Sequence, residues 1–181
     1  MKIASALVGL YSTQYRINVE GVEEFVAGLI EGLIQKDDLP EIKKCLQNEQ
    51  TLETEIETAI ADIEKKDFKD IIAGIQEIGT IVQQIPGDLS DCKDIQGDLD
   101  KIEAWAKIFT EPSKLLPILE QNVLKNIKTI MTDVTKTDTD WKAAHYQSAG
   151  EDVADILIES VGPISHVYNT LAWEHFPNIF T

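Results

Sequence analysis

Apolar residues recur along this chain at the spacing of an α-helix. Between residues 19 and 36 they stand three and four positions apart, so that one face of a helix would carry them all. The same spacing continues through most of the later sequence, and the alternating or β-branched runs typical of strands are missing. The residues of the first stripe are Val22, Phe25, Val26, Leu29, Ile30, Leu33 and Ile34. The pattern predicts an all-α protein.

The stripes and the breaks between them divide the chain into about six main helices. Short polar connections between helices of similar length favour antiparallel neighbours, which predicts an up-and-down antiparallel bundle with short terminal helices added. Pro86 and Gly87 are expected to end one helix, and the polar run 135–140 is expected to be a linker. The predicted main helices cover residues 19–36, 51–66, 67–85, 90–109, 113–134 and 140–161, with a short helix beginning near Pro40.

Two glycines interrupt the first stripe. Gly28 and Gly32 are four positions apart and therefore share one face of the predicted helix. A face without side chains lets a second helix approach closely, and we expect this to be tight packing within the bundle rather than a dimerisation signal.

The chain is predicted to have three parts: an N-terminal apolar segment (residues 1–18), a helical bundle (19–161) and an aromatic C-terminal tail (162–181). Met1 and Lys2 precede a short apolar run, as in a signal peptide, but no convincing cleavage site follows. The first segment is therefore interpreted either as signal-like or as an assembly arm. The run is too short to cross a bilayer, and we predict no transmembrane segment.

The charge of the chain excludes some partners. The 32 acidic residues outnumber the 16 basic ones and give a net charge of −16, and Arg16 is the single arginine. Proteins that bind nucleic acid need a cationic surface to displace phosphate counterions, so we predict no nucleic-acid partner. Anionic membrane surfaces are disfavoured for the same reason.

Cys45 and Cys92 are the two cysteines of the chain. Neither belongs to a CxxC pair or has a histidine nearby in sequence, which argues against a zinc or redox site. In an exported protein they could form one disulfide that closes a loop of about 48 residues and contributes ~4 kcal/mol. Two buried free thiols are the alternative.

The residues of common catalytic and metal sites do not form a recognisable constellation. His145, His166 and His175 are the three histidines, none stands in a metalloprotease or serine-hydrolase motif, and His145 is expected on an inward stripe. Asp138 and Asp140 have the spacing of the first ligands of a calcium loop but lack its glycine and terminal glutamate. We therefore predict no enzyme activity, no metal and no cofactor.

Aromatic residues crowd into the predicted tail, beyond the point at which the bundle is complete. They are Tyr168, Trp173, Phe176 and Phe180. One interpretation is that they fold back and cover the end of the bundle. The other is that they dock onto another subunit or a lipid surface, because aromatic side chains dominate contact energies.

Several segments resemble a known group of proteins. They are Phe25–Leu33, the two cysteines, Gly74 to Gly79 and Tyr146–Ala154, and over about residues 20–160 the chain is similar to small secreted helical proteins of ciliated protists. Members of that group usually begin with a signal peptide, so the resemblance implies export and supports a Cys45–Cys92 bridge. It implies no activity and no functional residues.

These observations favour a non-enzymatic structural or interaction protein that is exported and self-associates through its apolar termini. The expected partner is a further copy of the chain, in a homo-oligomer or filament. The alternative is a carrier or coat protein whose amphipathic helices bind lipid or another apolar ligand.

Overall fold

The computed structural model describes residues 16–164, and this part of the chain is helical with no β-strand, which confirms the predicted all-α class. Two short 3₁₀ helices, Lys93–Ile95 and Lys107–Thr110, flank the fifth α-helix. The α-helices are α1 (Val19–Ile34), α2 (Leu39–Cys45), α3 (Glu49–Glu64), α4 (Phe68–Asp88), α5 (Gln96–Ala106), α6 (Pro112–Lys125), α7 (Ile127–Lys142) and α8 (Tyr146–Val161).

Helix α1 is the centre of the fold. Nearly every side chain from Val22 to Leu33 is buried, although the sequence predicted one apolar face. Helix α1 packs most extensively against α8 and also contacts α2, α3 and α5. Asn18 begins α1 by accepting a hydrogen bond from the Gly21 N–H at 2.8 Å through its side chain, as a good N-cap does.

Helix α8 reaches α1 so closely because glycines line the contact. A methyl group added at Gly28 would overlap the backbone carbonyl of Gln147, and one added at Gly150 would overlap the carbonyl of Phe25. The prediction that Gly28 and Gly32 serve tight internal packing is confirmed, since a methyl group at Gly32 would meet α8 as well. Because contacts advance along both helices together, α1 and α8 are parallel.

Two pairs of chain neighbours, α3–α4 and α7–α8, are antiparallel, as predicted for the bundle. In the α3–α4 pair, Glu55 accepts a hydrogen bond from Gln84 near one end of the contact, while Gly74 faces Ile63 towards the other. Helices α7 and α8 also run in opposite directions. The parallel α1–α8 pair was not predicted, because helices distant in sequence are free to pair in either direction.

Several predicted helix boundaries are wrong. The expected helix 113–134 is two helices that meet at Asn126, and the run 135–140, expected to be a linker, lies inside α7. The helix expected over 140–161 begins at Tyr146, and the one expected over 90–109 is α5 with its two 3₁₀ flanks. Pro86 does not end α4, which continues to Asp88 although proline has no N–H to donate to the carbonyl four residues earlier.

Candidate interaction groove

The parallel pairing of α1 and α8 brings their C-terminal ends to the same end of the bundle. There the apolar stripe shared by the two helices opens into a cavity of about 600 Å³. We call it the end groove, and its lining residues are Gly32, Leu33, Ile34, Gln35, Lys101, Ile158, Pro163 and Ile164. Its volume lies within the range of roughly 300–1,000 Å³ found for ligand pockets.

Helix α1 ends at the groove because Gln35 adopts a left-handed conformation, with φ of 61°. Its backbone N–H donates to the Glu31 carbonyl at 2.7 Å, and its side-chain amide donates to the Gly32 carbonyl at 3.0 Å. The last carbonyls of the helix are thereby partly satisfied. Leu33 is buried beneath this cap and Ile34 is half-buried, so the groove has an apolar wall on this side.

Helix α8 ends at Gly162, whose φ of 107° is accessible to glycine and strained for other residues. The Gly162 N–H donates to the Ile158 carbonyl at 2.8 Å, and its own carbonyl accepts the indole N–H of Trp105 at 2.9 Å. Trp105 belongs to α5 and is buried. This bond holds the chain after α8 against α5, so that Pro163 and Ile164 form the second wall of the groove.

A network of charged side chains includes Lys101, the charged residue that lines the groove. Lys36 pairs with Asp38 at 3.1 Å and with Asp98 at 2.9 Å, and these bonds raise the pKa of Lys36 to about 12. The hydrogen bond from Lys36 also lowers the pKa of the Asp98 carboxyl. Lys101, which lines the groove, pairs with Asp98 at 3.3 Å. The loop after α1 is thus tied to α5.

A second cluster, unlike the groove, is acidic and lies between α7 and α8. Carboxylate oxygens of Asp133, Asp152 and Asp155 come within 4.8 Å of one another. Burial, followed by the neighbouring Asp140, raises the pKa of Asp152 to about 7. Carboxylates are the ligands of hard cations, but the ammonium of Lys136 already stands 2.8 Å from Asp133, the buried member. Asp138 and Asp140, whose calcium-loop spacing the sequence analysis set aside, lie within helix α7.

The structure joins Cys45 and Cys92 in a disulfide, with their Cα atoms 5.4 Å apart. The bond links the end of α2 to the turn before α5. Beside it, the Gln47 N–H donates to the Asp88 carbonyl at 3.0 Å, and the Asn48 side chain donates to the Asp88 carboxylate at 2.5 Å. The loops at this point are therefore joined covalently and by hydrogen bonds.

The helical spacing predicted His145 on an inward face, and this prediction is wrong. Its side chain is 67% exposed and lies 3.4 Å from the Asp140 carboxylate. The helical phase is lost before it, because α7 ends at Lys142 and Ala144 takes a positive φ. His166 and His175 lie outside the described residues.

The predicted contact residues of the tail, Tyr168, Trp173, Phe176 and Phe180, also lie outside the described residues. So does most of the N-terminal apolar segment, although Ile17 is buried in the core. The sequence did not point to the end groove itself. Between residues 16 and 164, no helix is both long and apolar enough to span a membrane.

Comparison with known proteins identifies a family for this chain. No curated protein and no solved structure matches the chain. Residues 5–159 match the family model described as SctB-like, Secreted protein B-like. The resemblance to ciliate proteins was therefore wrong: it rested on loosely spaced glycines and apolar residues, and the structure explains Gly28, Gly32 and Gly150 by helix packing. The predicted export is confirmed, and the chain belongs to the Secreted protein B-like family.

Proposed function

We propose that this secreted protein is a non-enzymatic interaction protein that self-associates through its apolar terminal segments. The observation that carries the proposal is the concentration of aromatic residues after Ile164, beyond the described helices of the bundle. Aromatic side chains supply most of the binding energy at protein interfaces. The acidic surface of the bundle would repel further copies of itself, so association is expected to use the terminal segments.

The test compares the full chain with a variant that lacks residues 165–181. Sedimentation velocity over a wide concentration range should show assembly of the full chain and a monomer of the variant. Circular dichroism should show that the helices persist in the variant, because the buried residues from Ile17 to Ile164 are all retained. A full chain that is monomeric throughout, or assembly that the deletion leaves unchanged, would refute the role of the tail.

A second candidate function is a carrier of lipid or another apolar ligand, and the volume of the end groove favours it. A cavity of about 600 Å³ lined by Leu33, Ile34, Ile158 and Ile164 could hold part of an acyl chain. Native mass spectrometry of the protein purified from its own secretion medium distinguishes the carrier function from self-association. A stoichiometric apolar ligand supports the carrier, and a ligand-free oligomer supports self-association.

A further inference from the structure

We propose that the end groove receives residues 165–181 of a second copy of the chain, and that two copies exchange these segments to form a closed dimer. The inference rests on the proposed function and names the surface through which it acts. Its starting point is the position of Ile164, which directly precedes this segment and is itself part of the groove wall. The segment rich in aromatic residues therefore leaves the bundle at an apolar cavity.

The groove suits this segment chemically. Two helices end there, and neither α1 nor α8 has a basic residue in its last turn to offset the partial negative charge of its carbonyl end. Such a site favours hydrogen-bond donors. Residues 165–181 offer the indole N–H of Trp173, the hydroxyl of Tyr168 and two imidazoles. Their one acidic residue, Glu174, would meet Lys101, which lines the groove.

Position favours a second copy over the segment's own groove. Ile164 is part of the groove wall, so a segment that fills the groove of its own copy would have to turn back on the residue from which it starts. Residues 165–176 contain neither glycine nor proline, and of the other residues common in tight turns they contain Ser165 and Asn169. A segment that arrives from another copy needs no such turn.

Reciprocal exchange also predicts the size of the assembly. Ile164, after which the segment begins, and the groove lie at the same end of the bundle. Two copies that face each other can therefore fill both grooves and leave none open. Two aromatic rings in each groove would bury roughly 400 Å² of the segment and a similar area of groove. The pair would bury on the order of 1,600 Å², the standard size of a stable interface. The assembly is therefore a dimer and not a filament.

Substitution in the groove tests the contact. Ile34→Lys places a charge in the groove wall at the last residue of α1, where a lysine suits the helix end. Val19→Lys is the matched control, because Val19 is an exposed apolar residue at the opposite end of the same helix. Ile34→Lys should weaken dimerisation about tenfold or more, and Val19→Lys should leave it unchanged. Equal dimerisation of both variants would overturn the proposal, even if deletion of residues 165–181 still abolished assembly.

Cross-linking identifies the occupant. The double variant Gln35→Cys with Phe176→Cys should form a covalent dimer under mild oxidation, because Gln35 lies at the groove and Phe176 on the incoming segment. A covalent monomer would mean that the segment occupies its own groove, and no cross-link would mean that it docks elsewhere. Either result overturns the proposal. Val19→Cys with Phe176→Cys is the control, and it should give neither product.

Discussion

Replacing Gly28 with alanine tests whether the α1–α8 contact holds this fold together. Two opposing effects decide the result. Alanine is a better helix former than glycine by about 0.8–1.0 kcal/mol, which would stabilise the protein. The added methyl group, however, would overlap the backbone carbonyl of Gln147 on α8. A carbonyl cannot rotate away as a side chain can, so the two helices must separate.

The steric effect is the larger of the two. Overpacking a core costs typically about 1–3 kcal/mol, and contact with rigid backbone places Gly28→Ala at the upper end of that range. After the gain in helix propensity, we expect a net loss of about 2 kcal/mol in the free energy of unfolding. For a chain of 181 residues this lowers Tm by roughly 4–8 °C.

Gly97→Ala is the matched control. Gly97 lies in α5, and a methyl group added there would have no neighbour within 4 Å. Only the propensity effect remains, so this variant should be stabilised by up to about 1 kcal/mol. Urea unfolding followed by circular dichroism measures both variants. If Gly28→Ala is as stable as Gly97→Ala, the α1–α8 contact is not as close as described, and the reasoning fails.

Three further predictions concern stability. Replacing Cys45 and Cys92 with serine should cost about 4 kcal/mol, because the disulfide joins residues 47 positions apart; reductant should destabilise the wild type equally, and an unchanged urea midpoint in reductant would contradict this. Burial and a nearby carboxyl raise the pKa of both Glu64 and Asp152 to about 7, from 4.5 and 3.8. The contribution of these two raised pKa values to the free energy of unfolding is complete below about pH 4 and is lost as the pH rises through about 7. Tm should therefore fall from pH 5 to pH 8. Glu64→Gln and Asp152→Asn should flatten that dependence, and a Tm that rises over this range would show that the carboxyls are ionised in the fold. Trp105→Phe should cost about 1 kcal/mol, because the carbonyl at the end of α8 loses its donor; denaturant unfolding beside the wild type measures it, and no loss would mean that water replaces the indole.

The sequence predicted the helical class and the buried stripes, because helical spacing of apolar residues reports burial directly. It misjudged the run 135–140, which is rich in threonine and aspartate and has the composition of a linker. In α7 the hydroxyls of Thr135, Thr137 and Thr139 instead donate to the carbonyls four residues earlier. Thr137 is fully buried against the bundle. Packing of one face overrides a weak local preference.

The acidic cluster between α7 and α8 was missed for a related reason. Asp152 and Asp155 are three positions apart and share a helix face, which the sequence does indicate. Their proximity to Asp133 depends on how far α7 extends and on the register in which it meets α8. A prediction that breaks α7 at residue 134 cannot supply either.

The end groove could not be predicted from the sequence, because its apolar residues have the spacing of core residues whether or not another helix covers them. Leu33 and Ile158 fall on apolar stripes. The spacing of a stripe does not indicate whether the neighbouring helix is long enough to cover these residues. The groove exists because two distant helices pair in parallel and stop at the same level, one at a left-handed Gln35 and the other at Gly162. The sequence pattern does not show that these two helix ends lie side by side. The aromatic residues after Ile164 are visible in the sequence, but only the fold shows that Ile164, the residue before them, lines a groove.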